Sequence, residues 1–229
     1  IDVFPLQTKE ADTAAGCLQS FIGPNVTVGQ VYTDNSAELK SAVRQNSWCH
    51  ATSTPGRPDT NRVAERAIRS VVEGARAALE HSGLHESWWS HAGKHFCFAR
   101  NVAITNGDSS WNRRHQKGHF NGPMDPFGCL VDFMPTPQKM GAVHKFASRT
   151  IPGIFIGYVL LPGGRWKGDF LVAPLNEFDC LPERQRIEVK IQRVKEVFRD
   201  KLAPFVFPLK DPRFRIGGPT AGGHQDHTV

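Results

Sequence analysis

The stretch YTDNSAELKSAVRQNSWCHATSTPGRPDTNRVAERAIRSVVEGA, residues 32–75, holds two carboxylates in particular settings. Asp34 follows the β-rich run TVGQVYT, and Glu65 lies in the first turn of a long amphipathic helix. The stretch predicts a strand, a short helix, a second strand at SWCHATS, a loop and a long helix. Together with the strand and helix predicted upstream of it, the order strand, helix, strand that ends at Asp34 predicts an α/β fold with largely parallel strands. An Asp at the carboxyl end of a parallel strand points into the crevice where such sheets bind ligands, and a Glu early in a helix can reach that crevice.

The long helix is predicted to begin near Thr60, after a loop whose prolines and glycine prevent regular structure. Its apolar stripe consists of Ala64, Ala67, Ile68, Val71, Val72, Ala75, Ala78 and Leu79. Glu65 lies on the polar face, one turn before Arg69. A purely structural interpretation is therefore an ion pair between Glu65 and Arg69.

Upstream of this stretch, IDVFPLQT predicts a strand, and the spacing of apolar residues from Ala11 to Phe21 predicts a helix that Gly23 and Pro24 end. After Gly83 a further helix is expected to pack five side chains inward: Trp88, Trp89, Ala92, Phe96 and Ala99. Farther on, FGCLVDFMP, GIFIGYVL and DFLVAPL predict strands, with Gly163 and Gly164 in a hairpin loop. RIEVKIQRVKEVF predicts another strand or a helix.

These elements divide the chain into four predicted segments. Residues 1–104 form an α/β unit with C-terminal helices, and residues 105–125 form a linker. Residues 126–215 form a small β-rich unit, and residues 216–229 form a disordered tail.

Composition restricts the class of protein. The 229 residues carry a net charge of +6, which suits a polyanionic partner. No apolar run reaches the roughly 18 residues of a membrane span, and the opening residues lack the basic and apolar pattern of a signal peptide, so neither is expected. Five scattered cysteines without a C-x-x-C pair indicate reduced thiols in an intracellular protein. His91 and His95 lack further ligands at a fitting spacing, which disfavours zinc.

Several segments, in order, resemble retroelement integrases. YTDNSAEL resembles their T-D-N-G-x-E-F segment, and STPGRPDTNRVAERAIRSV resembles their P-x-x-P-Q-x-N-G-x-A-E-R-x-x-R segment. DPFGCLVDF and ASRTIPGIFIGYVL resemble segments that follow the integrase core in copia-type long-terminal-repeat retrotransposons. Together these segments cover roughly residues 1–175.

The resemblance implies a fold and a chemistry. The fold is an RNase H-like core, incomplete here, followed by helices and a small β-rich unit. The family uses a D, D, E triad holding two Mg²⁺ or Mn²⁺ ions to cut and join DNA. Asp34 matches the second carboxylate and Glu65 the third, both as catalytic and metal-binding residues.

Two basic residues after Glu65, Arg66 and Arg69, match family positions that face DNA phosphates. Asn61, at the family's Asn before the catalytic helix, and the neighbouring Arg62 are also expected to bind DNA. The expected partners are element and target DNA and further integrase copies, and the expected location is intracellular, nuclear at the integration step.

The sequence departs from the family pattern in three respects. The first catalytic Asp, with any zinc module, is expected upstream of Ile1, and Asp2 is not a substitute for it. Ser36 and Arg62 stand where the family has Gly. The segment between Asp34 and Glu65 is shorter than in the family, with the loss in the helix at residues 37–45.

Three interpretations follow. The first is a fragment of a copia-type integrase that is inactive alone, because its sheet and its carboxylate triad are incomplete. The second is a decayed or repurposed module that binds nucleic acid or partners without catalysis. The third is an unrelated α/β protein in which Asp34 closes a turn and Glu65 pairs with Arg69.

Overall fold

The computed structural model describes residues 1–24, 26–54, 61–135, 148–179 and 189–211. The chain has a mixed α/β fold: an N-terminal part with a small parallel sheet, a helical hairpin, and a five-stranded antiparallel sheet. The predicted C-terminal tail, residues 216–229, lies outside the described residues.

The N-terminal part pairs two strands in parallel around a crossover helix. Its elements are α1 (Ala11–Ile22), β1 (Val31–Thr33), α2 (Ala37–Gln45) and β2 (His50–Thr52). Residues 31–33 lie opposite residues 50–52 in parallel register. Small buried alanines let α1 and α2 approach closely: Ala14, Ala15 and Ala42. The parallel pair is therefore β1 with β2, and not β1 with the strand predicted at IDVFPLQT.

The strand predicted at IDVFPLQT does not form, since residues 1–10 hold no regular element. A strand needs a neighbour for its backbone groups, and Pro5 offers no N–H to a ladder. The segment is instead attached to a helix: the Ile1 amino group donates to Asn101 Oδ1 at 2.9 Å, and Asn101 Nδ2 donates to the Ile1 carbonyl at 2.7 Å. That prediction is wrong.

The helical hairpin consists of α3 (Arg62–Ser82) and α4 (Trp89–Val102), joined by a 3-10 turn at Glu86–Trp88. Where the two helices cross, Gly74 faces the Phe96 ring, and a Cβ at position 74 would lie 2.2 Å from it. Trp88 is 4% exposed, but Trp89 is 53% exposed. Neighbouring helical residues point about 100° apart, so one buried stripe does not hold both, and the inward placement of Trp89 is wrong.

A short helix occupies part of the segment predicted as a linker. This helix, α5, spans Ser110–His115. Ser109 caps it, because its hydroxyl accepts a hydrogen bond from the Asn112 N–H at 3.1 Å.

The antiparallel sheet contains β3 (Leu130–Phe133), β4 (Ile151–Leu161), β5 (Arg165–Pro174), β6 (Gln192–Val194) and β7 (Val197–Phe198), in the order β6-β5-β4-β3-β7. A short helix, α6 (Leu175–Asp179), follows β5. Gly163 and Gly164 close the β4–β5 hairpin with φ values of 82° and 71°. The three predicted strands and the hairpin are confirmed, and the basic run after them forms two short strands.

Two apolar clusters hold the helices on the sheet. The first cluster joins the α3–α4 helical hairpin to the antiparallel sheet. It contains Ala75, Leu84, Trp88, Ala92, Phe127, Ile154, Ile156, Ala173, Phe178 and Val189. The second lies under α4 and α5 and is rich in aromatic rings, among them Phe98, Phe155, Tyr158 and Phe170. The C-terminal half of α3 therefore lies against the sheet. None of the described helices combines the length and apolar character needed to cross a bilayer.

Candidate functional site

Asp34 is the first residue after β1, and its neighbours fix the backbone around it. The Thr33 hydroxyl donates to the Asp34 carbonyl at 2.7 Å and lies 2.8 Å from His50 Nε2 on β2. Asn35 Nδ2 donates to the Ser53 carbonyl at 3.1 Å. The end of β1 is thus attached to the first residue of β2 and to the residue after β2, on both sides of Asp34.

The Asp34 carboxylate is exposed and has one partner among the described residues. Its Oδ1 accepts a hydrogen bond from the Ser36 N–H at 3.1 Å, the turn that leads into α2. No described residue donates a hydrogen bond to the other oxygen. Asp34 therefore closes a turn, as the structural interpretation predicted, and keeps an oxygen for another ligand.

Glu65 lies in the first turn of α3 and is exposed, as are Arg62, Arg66 and Arg69. Positions three or four apart in a helix share a face, so the acid and the three cations line one side of α3. Within the described ranges Glu65 forms no ion pair with Arg66 or Arg69. The structural interpretation of Glu65 as the partner of Arg69 is therefore wrong.

Asn61 is the N-cap of α3, with φ −118° and ψ 5°, and its side chain makes no capping hydrogen bond. A capping Asn ordinarily accepts from a backbone N–H of the first turn. The Asn61 amide thus does not satisfy the helix end and is available to other groups.

In the described part of the chain, no hydrogen bond connects the Asp34 side chain with the Glu65 side chain. Residues 55–60, which connect β2 to α3, lie outside it. Among the described residues there is also no group of three His, Cys, Asp or Glu side chains suited to a metal ion. The metal-binding role of Asp34 and Glu65 therefore stays a prediction.

Ser36 and Arg62, which stand where the resembled integrase motifs have glycine, fit the observed backbone. Ser36 has φ −62° and ψ 140°, an extended conformation that any residue adopts. Arg62 is the first residue of α3. Neither position has the positive φ that favours glycine, so neither substitution strains the backbone.

Comparisons with known proteins show which proteins the chain is similar to. No family model matches it. It is 31% identical over 137 residues, 57% of its length, to the retrovirus-related Pol polyprotein from transposon TNT 1-94 of Nicotiana tabacum. It is 32% identical over 68 residues to that from transposon RE2, and 26% identical over 144 residues to that from transposon RE1, both of Arabidopsis thaliana. The chain is a relative of retrotransposon Pol polyproteins.

This retrotransposon Pol relative spans a small part of each curated protein: 10% of the TNT 1-94 polyprotein, 5% of the RE2 polyprotein and 9% of the RE1 polyprotein. A chain in the cryo-electron microscopy structure of the simian T-cell lymphotropic virus intasome, in complex with PP2A regulatory subunit B56 gamma, aligns with a TM-score of 0.39 and 13% identity. The alignment covers 85% of the Pol relative and 66% of that chain. Likeness at this level does not establish a shared fold.

The histidines of α4 contribute to packing in this Pol relative. His95 Nε2 lies 3.0 Å from the Asp125 carbonyl, and its ring stacks on Tyr158 with centroids 6.0 Å apart. Burial lowers the pKa of His95 and of His91. Sequence reasoning missed the bond from His95 to Asp125, because thirty residues and a turn of unpredicted geometry separate the two.

An apolar edge of α3 is exposed in the Pol relative, although the sequence predicted part of it as buried. Ile68 is 62% and Val72 42% exposed. Only the C-terminal half of α3, around Ala75, packs against the sheet. The helical spacing of apolar residues predicted the stripe, but it does not show how much of α3 the sheet covers.

Proposed function

We propose that this chain is part of the integrase region of a copia-type retrotransposon Pol polyprotein. In the parent protein it takes part in metal-dependent cleavage and joining of DNA. One observation carries the proposal: in a relative of Pol polyproteins, Asp34 follows a strand of a parallel pair and Glu65 opens the next long helix, both with exposed carboxylates. These are the positions that the sequence motifs assigned to the second and third carboxylates of the triad.

The donor chemistry of Asp34 and Glu65 fits Mg²⁺ or Mn²⁺, since hard divalent cations prefer carboxylate oxygens. Asp34 keeps one oxygen without a described partner, and Glu65 forms no ion pair with a described residue. Bound metal would activate the attacking oxygen and stabilise the leaving one. The described residues supply too few ligands for a complete metal site, because they contain no group of three suitable side chains.

The cations of α3 supply the expected contact with DNA. Arg62, Arg66 and Arg69 are exposed on the side of the helix that carries Glu65, and the Asn61 amide lies at the end of that side. Guanidinium groups bind phosphates well, and such contacts position DNA without reading its sequence. The proposal includes element and target DNA as partners, self-assembly of the parent protein, and action in the nucleus.

A second candidate function is a nucleic-acid-binding module without catalysis. The observation that favours it is the missing third ligand among the described residues. The two candidates agree on DNA binding by α3 and differ on metal binding by the two carboxylates.

Manganese binding separates these candidates. We expect Mn²⁺, followed by electron paramagnetic resonance, to bind the chain with a dissociation constant of roughly 1 mM, as for an exposed site of few ligands. Asp34→Asn or Glu65→Gln should abolish that binding. The matched control is Glu73→Gln, an exposed acid on the same helix, which should leave it unchanged.

Equal Mn²⁺ binding by the wild type and both site variants would refute the metal role and leave the second candidate. A strand-transfer assay with a labelled donor oligonucleotide completes the test. We expect no joining by this chain alone in Mg²⁺ or Mn²⁺. Joining that Glu65→Gln abolishes would show that the chain supplies a third ligand, and the proposed inactivity would be wrong.

A further inference from the structure

A second positively charged surface lies far along the chain from α3. It is a groove between the end of α1, helix α5 and the β4–β5 hairpin, with a volume of about 430 Å³. Trp111 and Trp166 form its walls. Its basic residues, which define the basic groove, are Arg114, His115, Lys117, Arg165 and Lys167. No Asp or Glu occurs among the residues that line it.

Three cations of the basic groove lie close enough to His115 to affect its charge. The pKa of His115 is lowered, first by burial and then by the positive charges of Arg114, Arg165 and Lys117. These charges come from α5, the residue run after it, and the β4–β5 hairpin. The fold therefore collects cations that about fifty residues of sequence separate.

The groove is fixed by contacts between its walls. Arg114 donates to the carbonyls of Phe21 and Ile22 at the end of α1, and its guanidinium lies 4.8 Å from the centre of the Phe21 ring. The Gly163 N–H donates to the Ser20 carbonyl at 2.8 Å. Arg114 therefore serves the fold, since a cation at a helix C-terminus satisfies its carbonyls.

The other three cations are available to a ligand. Lys117, Arg165 and Lys167 are exposed. Arg165 Nε donates to the Pro162 carbonyl at 3.2 Å, which orients its guanidinium without neutralising it. In the described part of the chain neither Lys117 nor Lys167 has an ion-pair partner.

Like charges held together without carboxylates repel one another, and a polyanion relieves that repulsion. We propose that the basic groove binds the phosphate backbone of nucleic acid, in addition to any contact that α3 makes. Binding is independent of base sequence, because lysine and arginine contacts to phosphates do not read bases. The inference rests on the proposed function only for naming the polyanion as DNA.

The magnitude follows from counterion release. Each neutralised phosphate of a duplex contributes about −0.9 to the slope of log K against log salt. At 0.1 M salt each contact therefore adds a factor of about 8 to the binding constant. Three contacts give an upper bound of a few hundredfold, and partial contact at an open groove reduces it.

The test uses the full chain in EDTA, so that metal binding by Asp34 and Glu65 plays no part. Fluorescence anisotropy of a labelled 30-base-pair duplex of arbitrary sequence measures affinity across a series of KCl concentrations. The groove variant carries Lys117→Ala, Arg165→Ala and Lys167→Ala. We expect at least tenfold weaker binding at 0.1 M KCl and a salt slope smaller in magnitude by about 2 to 3.

The matched control removes three exposed cations outside the basic groove: Arg44, Arg100 and Lys201. It has the same net charge as the groove variant and should bind within about threefold of the wild type. Far-UV circular dichroism confirms that each variant keeps its fold. Equal weakening by the groove variant and the control would overturn the proposal, because net charge alone would then explain binding.

A third variant separates this proposal from the proposed function. It carries alanine at the three cations of α3: Arg62, Arg66 and Arg69. If this variant weakens binding and the groove variant does not, the basic groove is not a nucleic-acid surface. If the groove variant alone weakens binding, the groove proposal holds and the α3 contact fails. Wild-type binding to phosphatidylserine vesicles but not to DNA would also overturn the proposal.

Discussion

Gly74→Ala tests the crossing of α3 and α4, on which the position of both helices depends. Alanine favours a helix over glycine by about 1 kcal/mol, so propensity alone predicts a gain in the free energy of unfolding. The new Cβ would lie 2.2 Å from the Phe96 ring and 2.5 Å from Phe96 Cγ. Carbon atoms pack best at about 3.5–4.0 Å, and Cγ is fixed next to the backbone, so the helices have to separate by more than about 1 Å.

Overpacking of this kind costs about 1–3 kcal/mol, which outweighs the gain from propensity. We expect Gly74→Ala to lower the free energy of unfolding by about 1–2 kcal/mol, or the melting temperature by roughly 2–8 °C for a chain of this size. Urea and thermal unfolding followed by far-UV circular dichroism measure it. The control is Gly16→Ala in α1, where a Cβ meets nothing within 4 Å.

Gly16→Ala should stabilise the chain by about 0.5–1 kcal/mol, the opposite sign for the same substitution. In a Phe96→Ala background the penalty at position 74 should vanish and the propensity gain should reappear. If Gly74→Ala and Gly16→Ala stabilise equally, the close crossing of α3 and α4 does not exist. If the penalty persists without the Phe96 ring, that ring is not its cause.

Three further predictions follow from buried groups. The folded pKa of His95 is lowered, so the unfolded state binds more protons below about pH 6.5. Stability should therefore fall as pH drops through that value, and His95→Gln should flatten the slope seen in urea titrations. Burial raises the pKa of Cys97 to about 11 and of Cys129 to about 12, so iodoacetamide at pH 8 should label exposed Cys49 before either, by mass spectrometry. Tyr158→Phe should cost about 1–3 kcal/mol in urea unfolding, because two backbone groups lose the hydroxyl that bonds them; no change would show that these bonds contribute little.

Sequence patterns predicted the elements whose causes are local. Helix periodicity located α3, and β-rich runs with a glycine pair located β4, β5 and their hairpin. Composition favoured a strand at IDVFPLQT as it did at β4 and β5, but a strand also needs a neighbouring strand for its backbone hydrogen bonds. Residue propensity predicts the extended backbone, whereas the partner strand is determined by the whole fold.

The candidate site shows the same division. Motifs placed Asp34 after a strand and Glu65 in the first turn of a helix, and both placements hold. The ion pair between Glu65 and Arg69 was also expected from spacing, yet the described residues show none. Exposed i,i+4 pairs are worth a few tenths of a kcal/mol, too little to fix two long side chains against their rotamer entropy.

The basic groove was beyond sequence reasoning for a geometric reason. Residues 114–117 and 165–167 are each short basic runs of a kind that commonly lie on a solvated face. Their charges form one surface only because the end of α1 contacts both α5 and the β4–β5 hairpin. The contact at Gly163, where the α1 end meets the hairpin, is a backbone hydrogen bond that leaves no pattern in the sequence. Charge clustering across distant segments therefore has to be found from the fold, and it marks a surface whose repulsion a polyanionic ligand would relieve.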